Sequence, residues 1–560
     1  MTALDLADIQ GGILRAYGRQ GFPKARCFFL TIRDPVKGRQ FVEQLRPRIT
    51  TAARWKNPKR GDALTRTRNP RVKDIVRAEG APDYPGVVQL MKPKVTFNIA
   101  FTFFGLVALE VPTRTLRAMP DEFIDGMARR APILGDDKFL EARDAVWRNS
   151  EGKNRVHMLV QLNAEMKPDG TPIDELEKET GWLRKLCADS DGGVVLLSGN
   201  GPDADSADWQ EMSAVLAPGG DGLMPTNKEH FGLSDGFGDP VFEGQLSGEA
   251  ERLRTIGGGK ITRSNDWAPI ATGEFLLGYP DEAQEIPGAA MPIEFSRNGT
   301  FMAYRKLHEN VGSFAAYIDE AGARYARTFG IEHEGEARET VKAKMVGRWA
   351  DGIPLMAAPT FKDWLAFRKE LADAHSADDK PKLAQLALRY TDFKYKSDPD
   401  GAACPVTSHM RRANPRDMLD PNFLSPDAKN SDSALVNRRR ILRRGLPYGE
   451  VDPAAPNDAN EQGIIFMAIC CSLFRQFEFV QQQWMEYGLD FNAGSDTCPI
   501  IGRHDHESAK LVVVTDPKTG RQPFVADRIP QLVETRGGDY FFIPSMTALR
   551  MIGMGIVDPT

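Results

Sequence analysis

Two short segments carry most of the residues that could do chemistry. The first, HFGLSDGFGDPVFEG, runs from His230 to Gly244 with four glycines, one proline and three carboxylates. Gly tolerates positive φ and Asp bonds its own backbone, so His230, Asp235 and Asp239 suit a tight loop, or a loop that holds an acid over a site. The second, CPVTSHMRRANPRD, spans Cys404–Asp417 and sets His409 before Arg411, Arg412 and Arg416, between Pro405 and Pro415. A fixed imidazole beside concentrated positive charge suits a haem, which takes one axial imidazole on iron and cations on its propionates. It equally suits a histidine packed at a helix end with its arginines in solvent. A third segment, NRRRILRRG, holds five arginines between Arg438 and Arg444.

Other chemistries find little support. The chain has 560 residues and only eight histidines; His504 and His506 stand two apart among charges, without a third ligand at a recognisable spacing, and read as a surface loop. HExxH, CxxC and a Walker lysine motif are all missing. Six cysteines without a CxxC pair form no disulfide framework, and Cys470 and Cys471 read as buried small residues. The net charge of −5 speaks against a nucleic-acid partner, although eleven Lys or Arg fall between Arg46 and Arg77, a run that reads as a solvated face. The apolar run Ile464–Cys471 is far short of the ~20 residues of a membrane helix. The start, MTALDLADIQGG, has no basic, apolar or twin-arginine signal, so a cytoplasmic protein is expected.

The elements that must position these residues are mixed. RCFFLTI, VTFNIAFTFFGLVAL (Val95–Leu109), HMLVQLNA, GGVVLLSG, GTFMAYRKL, GIIFMAICC and DYFFIPS read as strands rich in β-branched and aromatic residues. KGRQFVEQLRPRI, DELEKETGWLRKLCADS and SLFRQFEFVQQQWM read as amphipathic helices; in the last, Leu473, Phe477, Val480 and Trp484 share one face and the glutamines face elsewhere. The polar stretch Ala217–Glu229 reads as a linker, dividing an N-terminal unit (1–225) from a larger C-terminal one (226–560). Segments 46–90, 365–403 and 499–535 read as loop-rich insertions.

In order along nearly the whole chain, DIQGGIL, HFGLSDGFGDP with its GxxDG motif (Gly232–Gly236), GEFLLGYPDE, NGTFMAYRKL, MVGRWADGIPL, CPVTSHMRRANPR, RRILRRGLPYG, QFEFVQQQW and GDYFFIPS resemble the dye-decolourising peroxidases. The resemblance implies an α+β fold of two ferredoxin-like domains with antiparallel sheets, with haem b in the C-terminal one. It implies a peroxidase that uses hydrogen peroxide to oxidise phenolic or dye-like organic substrates. His409 is cast as proximal iron ligand, Asp235 as distal acid–base group, Arg443 as its distal partner, and Gly236 and Arg411 as further cofactor contacts. The acceptor that orients the second nitrogen of His409 is not evident; Glu478 and Ser472 are candidates. A haem carrier or sensor would need His409 but not both Asp235 and Arg443. For substrates too bulky to enter, Tyr448 is the expected surface electron-transfer residue, with Trp349 and Trp484 as alternatives.

Overall fold

The computed structural model describes residues 4–56, 65–66, 87–88, 90–148, 152–203, 205–220, 222–246, 248–424, 431–504, 510–514 and 522–556. Two units with the same βαββαβ order follow each other. The first contains β1 (Lys24–Ile32), α1 (Pro35–Leu45), β2 (Val95–Phe101), β3 (Met158–Ala164), α2 (Asp174–Asp189) and β4 (Val194–Leu196), with a short β5 (Gln210–Ser213) also on β1. The second contains β6 (Thr300–Glu309), α3 (Val311–Phe329), α4 (Glu334–Val346), β7 (Leu442–Arg444) with β8 (Pro447–Tyr448), β9 (Gly463–Cys470), a wide-wound helical stretch over Leu473–Met485 and β10 (Val533–Ile543). The strands order as β7-β9-β6-β10-β2-β3-β1-β4, every neighbour antiparallel. Each unit thus has its fourth strand beside its first and its third between first and second, the ferredoxin-like arrangement expected. The two sheets meet edge to edge at one residue pair, Phe542 with Phe101.

Local chemistry accounts for these elements. Asp34 caps α1 by accepting from Lys37 N, with Pro35 at the first helical position. α2 carries Asp174, Glu175 and Glu177 in its first turn, where the helix dipole favours them, and buries Leu176, Leu183 and Leu186. β1 and β6 are buried on both faces. On β1, Phe28, Leu30 and Ile32 join one core with Phe41 and Leu45 of α1. The alternate residues Cys27 and Phe29 join another with Met302, Tyr304, Met467 and Phe541 of the second unit.

Four expectations need correction. The stretch 95–109 is a strand only to Phe101: Thr102 then caps a helix over Phe103–Ala108, its hydroxyl accepting from Gly105 N at 3.1 Å. The presumed linker contains a hairpin pairing Leu216–Gly219 with Gly222–Pro225. Segment 365–403 is largely helical, over Phe361–Ser376 and Lys380–Arg389, because Thr360 and Asp363 form a capping box and Asp379 caps the second helix. The stretch 473–485 is π-wound, which widens its buried face beyond Leu473, Phe477, Val480 and Trp484 to take in Gln476 and Gln481. The amide of Gln476 bonds Glu274 O and Arg440 O, and that of Gln481 bonds Leu134 O. All six cysteines are free and buried. Most of the basic run Arg46–Arg77 and of segment 46–90, and residues 505–509 and 515–521 of segment 499–535, lie outside the described residues. Among the described residues no helix is long and apolar enough to cross a membrane.

Candidate active site

An inner cavity lies beneath β6 and β9, closed by the segments around Asp235 and His409 and by the π-wound helix; the volume open to the centres of water-sized molecules is about 270 Å³. His409 opens the short helix α5 (His409–Ala413) and lines this cavity. Its Nδ1 lies 3.3 Å from the Sγ of Cys498, 89 residues away in the chain. Cys498 is fixed in turn: its N–H donates to Met485 O at 2.7 Å, and its carbonyl contacts the ring of His504 at 2.9 Å. The expected partners are engaged elsewhere. Glu478 bonds Arg130 and Tyr540, and the Ser472 hydroxyl caps the π-wound helix by accepting from Arg475 N. With Nδ1 against the thiol, Nε2 is the ring nitrogen left without a protein partner among the described residues, and it is the one that would hold an iron.

Asp235 and Arg443 line the same cavity. Arg443 Nη1 donates to Asp235 Oδ1 at 2.6 Å and its Nη2 to Phe237 O at 3.0 Å. Burial would raise the Asp235 pKa. The charges of Arg443 and Arg19 and the N–H of Gly236 outweigh it and hold the carboxyl far below the usual carboxylate range. Asp235 is therefore an ionised acceptor beside a guanidinium. Its neighbours have other duties. Asp239 holds Arg19 and Arg444, and His230 bonds Tyr448 O through Nε2 at 2.8 Å.

Gly236 has φ of 102°, and a Cβ there would fall 2.6 Å from Arg19 Nε. It lines a second, outer cavity but not the inner one, where Gly238 stands instead. The cofactor contact expected of Gly236 is thus corrected: this glycine permits a backbone turn and gives its carbonyl to Arg19. Arg411 is corrected likewise. Its guanidinium is wholly buried away from the cavity, bonding Asp398 Oδ2 at 3.1 Å and Cys404 O at 2.7 Å and stacking on Tyr395. Arg412 points to Trp484 O and Asp496 O.

Three other arginines take the place expected of Arg411. Arg348, Arg416 and Arg440 are buried, line the inner cavity, and have no carboxylate partner among the described residues; they bond only backbone carbonyls and, for Arg348, the sulfur of Met410. Arg348 Nη2 has no hydrogen-bond partner among the described residues. Burial, then the charge of Arg416, depresses both Arg348 and Arg440 to about 9. A buried cation without a counter-charge is costly. Three around one cavity ask for an anion there, and the two carboxylates of haem meet that demand while His409 offers a ligand to its iron. The residues present fit the group. Arg416 and Arg440 stand in the arginine-rich segments noted in the sequence; neither Arg348 nor Cys498 was singled out there.

Tyr448 is not at the surface. It is 2% exposed, lies under the ammonium of Lys306 at 4.7 Å, and its hydroxyl has no hydrogen-bond partner among the described residues. Trp349 and Trp484 are 1% exposed, the former stacked on Trp364. His504 is buried too, between Pro530 O and Cys498 O, and is not part of a surface loop; His506 lies outside the described residues.

Fold and site together define an α+β protein of duplicated ferredoxin-like units with an inner pocket that receives one imidazole and an Asp–Arg pair. A family model described as the DyP dimeric alpha+beta barrel domain matches residues 8–200. The multifunctional dye peroxidase DyP2 of an Amycolatopsis species is 31% identical over 355 residues, covering 60% of this chain and 61% of its own length. The dye-decolorizing peroxidase AauDyP1 of Auricularia auricula-judae is 25% identical over 581 residues, covering 98% of this chain and 87% of its own length. The crystal structure of a fungal DyP-type peroxidase from Auricularia auricula-judae matches with a TM-score of 0.68 over 99% of both chains at 21% identity. A dye-decolorizing peroxidase solved in complex with 2,6-dimethoxyphenol matches with a TM-score of 0.67, at 23% identity, over 98% of this chain and 100% of its own. In sequence and fold the chain is similar to dye-decolorizing peroxidases.

Proposed function

We propose that the chain is a haem b peroxidase that reduces hydrogen peroxide and oxidises phenolic or dye-like substrates. His409 would hold the iron, and Arg348, Arg416 and Arg440 would answer the propionates. When bound, the haem supplies a redox-active iron that binds peroxide and stores the oxidising equivalents passed to substrate. Asp235, already ionised, takes the proton that peroxide sheds on binding and returns it to the departing oxygen, a transfer one positioned carboxylate can make in both directions. Arg443 holds that carboxylate in place and stabilises negative charge as the O–O bond breaks. The apolar walls, among them Phe231, Leu233, Phe466 and Phe477, exclude water from the reacting atoms.

The observation that carries this reading is the 2.6 Å Asp235–Arg443 contact on the wall of the cavity that also receives His409. A haem carrier has no need of that pair. The experiment is to load the purified protein with haem, record its absorption spectrum before and after peroxide, and measure peroxide-dependent oxidation of 2,6-dimethoxyphenol and of an anthraquinone dye. Haem binding with a spectrum unmoved by peroxide, and no oxidation of either substrate, would reject the peroxidase reading.

A further inference from the structure

The outer cavity, lined by Arg15, Arg19 and Lys228 among others, shares a wall with the inner one, and Glu229, Asp235 and Arg443 stand on both sides of it. Glu229 has a companion. Its carboxyl is hydrogen-bonded to that of Glu309, which closes β6 and lines the inner cavity alone. Backbone N–H groups fix both: Phe231 N and Leu233 N donate to Glu229 at 2.7 and 2.9 Å, and His230 N donates to Glu309 at 3.3 Å. Neither has a cation partner among the described residues. Two carboxyls in contact without a cation cannot both be ionised, so one proton lies between them.

We propose that Glu229 and Glu309 form a proton store that serves the Asp235 side of the inner cavity and is refilled from the outer one. The proposal rests on the peroxidase reading. Each peroxide consumed takes up two electrons and two protons and leaves as two waters. Those electrons and protons come from two phenols, each of which becomes a phenoxyl radical. A substrate too bulky to enter the pocket releases its proton outside, so protons must reach the cavity by another route. Asp235 is a poor reservoir because Arg443 keeps it ionised. The glutamate pair is placed and charged for the task.

Burial, together with repulsion from Asp235 and against the pull of the loop N–H groups, raises Glu229 to about 7; burial and Glu229 push Glu309 up further. The other groups facing the pair are the neutral, half-buried His230 on its own loop, Arg443 on β7, Tyr448 on β8, and Arg305, Glu486 and Arg503 across the cavity. Glu229 therefore gives up a proton near pH 7, while Glu309, held higher, keeps the one between the two carboxyls.

The test uses the full chain labelled with ¹³C at glutamate carboxyls, with infrared titration of both the haem-free and the haem-loaded protein. Wild type should show a protonated glutamate that ionises near pH 7, absent in the near-isosteric Glu229→Gln. Turnover of a bulky dye by the loaded wild type should fall through an alkaline limb near the same pH. In Glu229→Gln that limb should disappear and turnover at pH 6 should drop about tenfold or more, while the first peroxide step changes less than about twofold because Asp235 and Arg443 remain. If wild type has no glutamate ionising within about one unit of pH 7, or if Glu229→Gln keeps the alkaline limb, the proposal fails. Should Glu229→Gln not fold, the wild-type titration decides. Failure of the underlying reading is distinct: the loaded wild type would then show no turnover at any pH, whatever the titration gives.

Discussion

Asp235 and Arg443 act through one contact, so their removal should be strongly non-additive. The carboxylate is 42% and the guanidinium 29% exposed by side chain, and the surface that water reaches on each faces the two cavities they line. Charge centres about 4 Å apart at an effective dielectric near 20 attract by about 4 kcal/mol. Screening by cavity water cuts this to roughly 2 kcal/mol, equivalent to about 1.5 pKa units. Arg443→Leu should therefore move the acid limb of the first peroxide step up by about 1.5 units, since Asp235 must be ionised to take the proton. The same variant should lose about 10²–10³ in rate, and Asp235→Asn about 10²–10⁴, both with haem retained. The double variant should be within about tenfold of the worse single one, as expected when two residues form one unit. Stopped-flow absorption at the haem band, over a pH series, measures each. An acid limb that stays put in Arg443→Leu, or a double variant whose loss is the product of the two single losses, would refute the pairing.

His409→Ala should fold but fail to retain most haem on reconstitution, as read from absorbance after gel filtration; a native spectrum would remove the ligand assignment. Arg348→Met and Arg411→Met should behave oppositely. The first removes an uncompensated cation and should leave the haem-free protein at least as stable while weakening haem binding about tenfold or more. The second strands buried Asp398 and should cost about 3–5 kcal/mol in denaturant unfolding. Tyr448→Phe should turn over bulky dye and small phenol alike at wild-type rates and unfold no earlier, because it removes a buried hydroxyl that has no hydrogen-bond partner among the described residues.

The sequence by itself determined what depends on neighbours in the chain. Apolar runs buried on both faces made β1 and β6, period and acidic first turns made α2, and motif blocks in order singled out Asp235, His409 and Arg443. It misjudged 95–109 and 365–403 where side-chain caps, Thr102 in the first and Thr360 with Asp363 and then Asp379 in the second, start helices that hydrophobicity does not announce. Tertiary structure decided the rest, because it depends on which distant segments meet. Arg411 and Arg412 follow each other on a five-residue helix, and both turn away from the cavity to bond carbonyls and an aspartate of other segments. The arginines that face it without a carboxylate partner among the described residues, Arg348, Arg416 and Arg440, come from three separate segments. Cys498 reaches His409 across 89 residues, and Glu309 meets Glu229 because a strand end lies under a loop 80 residues earlier, roughly a whole domain's worth of chain apart. Spacing fixes direction only within one element; contact between elements is set by how the two sheets pack, which no local pattern encodes.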